Sequence, residues 1–302
     1  MDLNYGLQRA LAEMQLLRIG GGRLILCSPG AATDVWLPQL KQWFGAAQIG
    51  QGGIKVVETV ADAISACEAG RGDQILVMPG TYTLTAAVVP KARTVIRGLP
   101  GYERVTIVRG VATAGVDAFT VSAADVHFRN LTIQAGSATS FCAAVSGVRS
   151  LFDTVEFGTN VADGDGLELL AAADDCRILG CTFDTLENAI NIVTTAAGGP
   201  DDLLVKDCIF NACTQMITDE GSVTGVYKRL LIMDCVGNCD AVDGTLPSDY
   251  IKLNTVNNGE FGMITGCRFS HATNATLVFV IPAQVRWAPN ATEAGWSTGR
   301  PS

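Results

Sequence analysis

The chain has 302 residues and a net charge of −9, with 48% hydrophobic and only 17% charged residues. The acidic balance argues against a direct nucleic-acid partner, and the sequence shows neither a run long enough to span a bilayer nor a basic-then-apolar leader. We therefore expect one elongated domain with a large buried core, kept in a reducing compartment where its ten cysteines stay thiols.

The first predicted element is an amphipathic helix over residues 3–18. Leu7, Leu11 and Met14 recur at helical spacing, and three glycines at 20–22 end the pattern. Its apolar face either covers an open end of the fold or docks onto a partner protein, so these three residues are interface candidates.

A tryptophan-rich segment follows a predicted strand at 23–27. Trp36 and Trp43 share one face of a short predicted helix with Leu40 and Phe44. Such a cluster is either buried in a core or anchors an interface. Both tryptophans are therefore further interface candidates.

The sequence pattern over residues 59–84 predicts a helix and two strands. Thr59 and Asp62 form a capping pattern for a helix that runs to about residue 69, and residues 72–84 predict a strand, a Pro-Gly turn and a second strand. The Arg71, Gly72, Asp73 tripeptide falls in this junction, and we interpret it as a linker and not as an adhesion motif.

From residue 126 to residue 272 one short phrase recurs with variations. Its copies are HFRNLTI, LFDTVEF, RILGCTF, LVKDCIF, LIMDCVG and MITGCRF. One position of the phrase holds Leu131, Val155, Cys181, Cys208, Cys235 and Cys267, at spacings of 24, 26, 27, 27 and 32 residues. This period, with short apolar runs closed by Asn, Gly or Asp, predicts an all-β solenoid of about eight coils with at least two strands in each.

The repeat divides the chain into three parts. We predict an N-terminal attachment or capping module at 1–53, a parallel β-helix at 54–280 and a C-terminal cap or tail at 281–302. The tail loses the repeat and carries Trp287 and Trp296, which cap the rod or contact a neighbouring molecule.

The repeated cysteines Cys181, Cys208, Cys235 and Cys267 predict a ladder of thiols in the core. A zinc site would need closer ligand pairs such as Cys-x2-Cys. A disulfide would need its Cβ atoms closer than the spacing of roughly 4.8 Å between neighbouring strands. We favour buried, reduced cysteines, and we expect neither a metal nor another cofactor.

The acidic residues give the protein its candidate catalytic groups. A β-helix glycosidase needs two carboxylates at a fixed separation. If the protein is an enzyme, the residues to test are Asp163, Asp165, Asp174, Asp175 and Asp202.

The alignment of the repeats offers a second explanation for the acidic pairs Asp174–Asp175 and Asp201–Asp202. Six residues before the repeated position, successive copies carry Asp125, Arg149, Asp175, Asp202 and Arg229. Charges of both signs one coil apart predict a solvated ion-pair ladder along a turn. We favour the ladder and therefore assign no catalytic residue.

The phrase ILVMPGTYTL at 75–84 and the repeats after it resemble the pectate-lyase-like superfamily of right-handed parallel β-helices. The resemblance implies a single-stranded right-handed parallel β-helix with a small helical N-terminal module. This superfamily includes polysaccharide lyases, glycoside hydrolases, pectin esterases and virion proteins of tailed bacteriophages. Neither His127 nor His271 stands in the Gly-His-Gly signature of its polygalacturonase-like hydrolases.

The N-terminal order of helix, GGRLILCSPG strand and Trp-rich segment resembles the phage proteins of that superfamily. It implies a structural protein, a rigid decoration, knob or spike on the capsid or tail of a virion assembled in the host cytoplasm. It also implies a homotrimer with phage capsid or tail partners and a host-surface glycan as a further partner. The alternative is a polysaccharide-degrading or glycan-binding β-helix enzyme.

Overall fold

A computed structural model describes residues 22–29, 38, 54–161, 163–195, 198–219, 229–238, 251–253 and 262–270, with short strands at 279–280, 285–287, 290–292 and 295–297. Leu7, Leu11, Met14, Trp36 and Trp43 lie outside these residues. Within the described ranges, no helix is long and apolar enough to cross a membrane.

The predicted solenoid is confirmed, and its coil has three faces. The first face stacks eleven of the described strands in parallel. In stacking order they are β2 (Ile54–Val57), β1 (Leu24–Cys27), β3 (Gln74–Val77), β5 (Val95–Arg97), the first halves of β8 (His127–Ala135) and β10 (Leu151–Thr159), β12 (Arg177–Leu179), β15 (Leu204–Lys206), β18 (Leu231–Met233), β21 (Gly262–Thr265) and β24 (Val285–Trp287).

The second face follows the first after a sharp corner. Its strands are β4 (Gly80–Thr83), β6 (Thr106–Arg109), the second halves of β8 and β10, β13 (Thr182–Asp184), β16 (Ile209–Asn211), β19 (Val236–Asn238), β22 (Arg268–Ser270) and β25 (Asn290–Thr292), with β26 (Gly295–Ser297) antiparallel to β25.

The third face is a separate sheet that closes each turn. Its strands are β7 (Phe119–Val121), β9 (Phe141–Val145), β11 (Asp165–Leu169), β14 (Asn188–Ile192), β17 (Gln215–Asp219), β20 (Ile251–Lys252) and β23 (Phe279–Val280). Seven turns, from β5–β7 to β21–β23, therefore have a strand on every face, where the repeat predicted at least two strands.

The core consists of files of like side chains, because parallel strands in register place equivalent residues one above another. Phe128 and Phe152 stack on the first face with ring centroids 5.1 Å apart. On the second face Phe157, Phe183 and Phe210 stack at 4.9 and 5.0 Å. Three successive copies of the phrase thus form one aromatic stack on the second face, which ends at Gly237 in the next turn.

The chain turns sharply between the first and second faces, at what we call the first corner. This turn explains why an Asn, Thr, Gly or Asp stands in the middle of each phrase. Asn130, Thr154, Gly180, Asp207 and Asp234 all have φ between 52° and 58°. This left-handed conformation is easiest for Gly, Asn and Asp. A single residue in it redirects the chain from one face to the next.

Both ends of the predicted β-helix domain extend further than the sequence indicated. Strand β1 lies between β2 and β3, so residues 24–27 of the predicted N-terminal module form part of the helix. At the other end β24 pairs in parallel with β21, with Trp287 opposite Ile264. Trp296 lies opposite Ala291 in the antiparallel closing strand. The tail therefore continues the repeat before it reverses direction.

Helix α1 (Val60–Ala66) begins where the capping pattern predicted, since the Thr59 side chain accepts a hydrogen bond from the Asp62 N–H at 3.0 Å. It ends three residues earlier than expected, because Cys67 is already extended. The linker interpretation of the tripeptide after it agrees with the burial of Asp73, which is 1% exposed. Its carboxylate accepts hydrogen bonds from the N–H groups of Arg23 and Glu68, each at 2.7 Å.

Candidate functional site

The acidic pairs lie at the corner between the third and first faces, which we call the ladder corner. Asp125, Arg149, Asp175, Asp202 and Arg229 all occupy left-handed turn positions there, with φ from 56° to 59°. The Arg149 guanidinium donates to both carboxylate oxygens of Asp125, at 2.7 and 3.0 Å, and Arg229 pairs with Asp202 in the same way. The predicted ion-pair ladder is therefore present for these two pairs.

This pairing determines the chemistry of the ladder corner. Arg149 lowers the pKa of Asp125, and Arg229 lowers the pKa of Asp202, so both carboxylates stay ionised and are unsuited to donating a proton. The Asp174 carboxylate instead accepts the Asp201 N–H at 2.8 Å, which joins neighbouring turns.

Asp163 and Asp165 lie elsewhere in the coil. Asp165 opens β11 and is buried, and its Oδ1 accepts hydrogen bonds from both the backbone and the side chain of Asn188 at 3.0 Å. Asp174 follows the far end of β11 (Asp165–Leu169), and five residues of strand span roughly 16 Å. The five candidate aspartates therefore do not form one catalytic site.

The structure places the four repeated cysteines in the interior. Cys181, Cys208, Cys235 and Cys267 are 0–1% exposed, and the nine described cysteines are all free thiols. The hydrogen bond with Cys181 raises the pKa of Cys208 well above its ordinary value. A protonated, buried thiol is a poor metal ligand, and no group of three metal-binding side chains occurs among the described residues.

A groove lies at the first corner, and we call it the corner groove. Most turns pass this corner in two residues, such as 180–181, but the chain uses eight, 98–105, between β5 and β6. This corner loop ends in a 3-10 turn at Glu103–Val105 and folds over the two following turns. The groove has a volume of about 290 Å³.

Close backbone packing holds the corner loop in place. The Gly98 N–H donates to the Arg129 carbonyl at 2.9 Å, and a Cβ on Gly98 would lie 2.0 Å from the Asn130 carbonyl oxygen. The Thr132 hydroxyl donates to the Glu103 carbonyl at 2.8 Å. Only glycine permits this approach, so residue 98 determines where the loop lies.

The groove combines an aromatic ring, charged groups and hydroxyls. Tyr102, Glu103 and Arg104 form its loop side, and Thr154 and Glu156 lie on the opposite side. Nε of Arg104 lies 3.2 Å from a Glu156 carboxylate oxygen, and the Arg104 side chain is 82% exposed. The groove thus presents donors and acceptors next to an aromatic surface.

A second ion pair borders the groove on the first face. Arg129 Nε lies 3.4 Å from the Asp153 carboxylate, and the Thr154 hydroxyl donates to the same carboxylate at 3.1 Å. His127 lies in the same strand as Arg129. The pKa of His127 is lowered, mainly by its burial and also by the positive charge of Arg129. These residues extend the polar surface from the groove around the corner.

The third face carries a separate file of polar residues. Register places Glu168, Asn191, Thr218 and Lys252 at successive equivalent positions, and Asn191 and Thr218 are buried. The segments that follow β17 and β20 lie outside the described residues.

The sequence interpretation did not identify the corner groove. Tyr102, Glu103 and Arg104 belong to no copy of the repeated phrase, and neither Arg104 nor Glu156 stands in an acidic pair. One signal was available, because the corner loop is six residues longer than the ordinary corner. An insertion in an otherwise regular solenoid marks a loop on one face, and such loops often form binding surfaces.

Comparisons with known proteins gave structural likenesses only, because no protein-family model and no curated protein matches the sequence. The chain is similar to the pectin methylesterase of Aspergillus niger at 11% identity, with 90% of this chain and 86% of that chain covered and a TM-score of 0.44. It is similar to pectin methylesterase PemA of Erwinia chrysanthemi at 12% identity, with 93% of this chain and 90% of that chain covered and a TM-score of 0.41. It is also similar to a pectin methylesterase in complex with a hexasaccharide at 16% identity, with 83% of this chain and 72% of that chain covered and a TM-score of 0.40. The phage relationship expected from the N-terminal order stays a prediction.

Proposed function

We propose that the protein is a glycan-binding β-helix that holds a polysaccharide in the corner groove. The observation that carries this proposal is the corner loop, which places Tyr102, Glu103 and Arg104 opposite Glu156 and Thr154. A helix that served only as a rigid rod would not need an eight-residue corner at one turn.

The side chains of the groove suit a sugar. Carboxylates and a guanidinium can hydrogen-bond to vicinal hydroxyls with charge assistance. A tyrosine ring offers a flat amphipathic surface to the C–H face of a pyranose. Arg104 and Glu156 already form a pair, so binding exchanges one hydrogen-bond arrangement for another and leaves no charge buried alone.

Binding to polysaccharides of different charge tests the proposal directly. The three polymers are polygalacturonate, methyl-esterified pectin and neutral dextran, and isothermal titration calorimetry measures the affinity for each. We expect at least one of them to bind. Arg104→Ala should weaken that binding about tenfold, because charge-assisted hydrogen bonds are lost. Absence of binding to all three polymers would contradict the proposed function.

The matched control is Arg149→Ala at the ladder corner. Arg149 is exposed and paired with a carboxylate, as Arg104 is, but it is remote from the groove. Equal losses of affinity in the two variants would show that the effect is general electrostatics and would refute the groove as the site. Release of reducing ends in the same samples measures whether a bound polymer is also cleaved.

A further inference from the structure

The corner groove carries more acid than base. Of the described residues that line it, the charged ones are Glu103, Glu156 and Arg104. Two carboxylates therefore share the groove with one guanidinium, in a chain whose net charge is −9. A surplus carboxylate in a groove attracts a cation and repels an anion. The charge of the groove thus favours a positively charged ligand.

The protein holds the two carboxylates more closely than it holds the guanidinium. Oε1 of Glu103 accepts a hydrogen bond from the Gly101 N–H at 2.7 Å, and the Glu156 side chain is only 23% exposed. The Arg104 side chain is 82% exposed where it pairs with Glu156. An exposed ion pair contributes little to stability. A ligand cation can therefore replace Arg104 beside Glu156 at a small cost in free energy.

An aromatic ring and hydroxyl oxygens add to the surroundings that suit an ammonium group. Tyr102 lines the groove beside Glu103, and the face of a tyrosine ring attracts a cation. The Thr154 hydroxyl donates its proton to Asp153 at 3.1 Å, so its oxygen is left to accept a hydrogen bond from a ligand. An ammonium group has three donors and no acceptor. A carboxylate, a ring face and a hydroxyl oxygen match these donors and their charge.

We propose that the corner groove selects a polysaccharide of amino sugars and binds a sugar ammonium at the Glu156 carboxylate. This inference rests on the proposed function and adds to it the chemical class of the ligand. The ammonium replaces the Arg104 guanidinium, and the sugar hydroxyls donate to Glu103 and to the Thr182 hydroxyl, which also lines the groove. The aliphatic stem of a lysine has no hydroxyls to make these last contacts, so the groove suits an amino sugar better than a basic peptide.

Oligomers of glucosamine and of N-acetylglucosamine test the role of charge directly. At equal length they share one sugar backbone and differ in whether each nitrogen carries a charge. In a mildly acidic buffer that keeps the amines protonated, isothermal titration calorimetry of the full chain should show about tenfold tighter binding of the glucosamine oligomer. Added salt should reduce this preference, because it screens exposed charges.

Three variants separate the groove from the general charge of the protein. Glu156→Gln should abolish the preference, because it removes the carboxylate and keeps the shape of the side chain. Asp175→Asn is the matched control, since Asp175 is an exposed acid at the ladder corner, remote from the groove, and it should leave the preference unchanged. Arg104→Ala should weaken binding of the acetylated oligomer and strengthen binding of the glucosamine oligomer, because it leaves Glu156 without a competing cation.

Equal binding of the two oligomers, or equal loss of the preference in Glu156→Gln and Asp175→Asn, would refute the selectivity and leave the groove as a glycan site. Trilysine is the probe for a peptide ligand. If it binds as tightly as the glucosamine trimer, the ligand is a basic peptide and the proposal is overturned. If none of the sugar oligomers or polymers binds, the proposed function itself fails.

Discussion

Phe183 lies in the middle of the aromatic stack of the second face. It is fully buried, with Phe157 at 4.9 Å on one side and Phe210 at 5.0 Å on the other. Phe183→Ala should lower the free energy of unfolding by about 4 kcal/mol, because it removes a large side chain and leaves a cavity between two turns. Urea unfolding followed by circular dichroism measures the loss.

The control for this substitution is Ile209→Ala in the next turn. Ile209 is half exposed, and such surface changes usually alter stability by less than about 0.5 kcal/mol. A loss at Phe183 no larger than that at Ile209 would contradict the aromatic stack as a source of stability.

Asp73 shows how one buried carboxylate joins three elements at the start of the helix. It binds the Arg23 and Glu68 N–H groups and the Arg71 guanidinium. Burial raises its pKa, but these hydrogen bonds outweigh burial and leave the pKa lowered. Asp73→Ala should reduce the free energy of unfolding by about 3 kcal/mol at neutral pH.

The effect of Asp73 has a defined pH dependence. Because its pKa is lower in the folded state, its stabilisation is complete above the unfolded carboxyl pKa of about 3.9 and is lost as the pH falls through the folded value. Wild-type and Asp73→Ala unfolding midpoints should therefore converge in acid. Exposed Asp175, replaced by Asn, provides the control, and a constant difference between the wild type and Asp73→Ala down to low pH would contradict this account.

The corner loop is the element that distinguishes one turn from the others. Gly98→Ala would place a Cβ within 2.0 Å of the Asn130 carbonyl, so the loop must move away from the turn beneath it. We expect this variant to keep its β-sheet circular dichroism and to lose glycan affinity about as strongly as Arg104→Ala.

Gly158→Ala controls for the general effect of adding a methyl group. A Cβ there would meet only the Asp184 carbonyl, at an ordinary contact distance of 3.7 Å. Thermal unfolding of this variant should match the wild type. Glycan binding by Gly98→Ala at wild-type affinity would show that the loop position is irrelevant to the groove.

At the scale of the whole molecule, the regular stack of turns sets the shape. Eleven strands on the first face give a rod about 48 Å long. The homotrimer implied by the resemblance to phage proteins stays a prediction. Analytical ultracentrifugation should give three times the chain mass of 31.7 kDa, and a monomer at all concentrations would contradict it.

A virion role and glycan binding are compatible at this scale. A rigid rod can hold a polysaccharide site at a fixed place on a larger assembly. The glycan test and the mass measurement are independent, so either result can fail without the other.

The sequence by itself determined the repeat, the β-helix and two of its files. A fixed period with parallel strands in register allows few arrangements, so the repeated Cys208 and Asp202 positions identify a thiol file and a charged corner. The aromatic stack around Phe183 was seen only in the structure. The Thr59 cap was likewise local, because its hydrogen bond spans three residues.

The tertiary structure decided which residues form a site. Arg104 and Glu156 are 52 residues apart in sequence, and they meet only because a loop crosses two turns of the coil. Ile209 and Asp184 likewise share a surface through strand register and not through any local motif. Repetition makes the backbone predictable, but contacts made by an irregular loop depend on where its backbone can approach the turns beneath it.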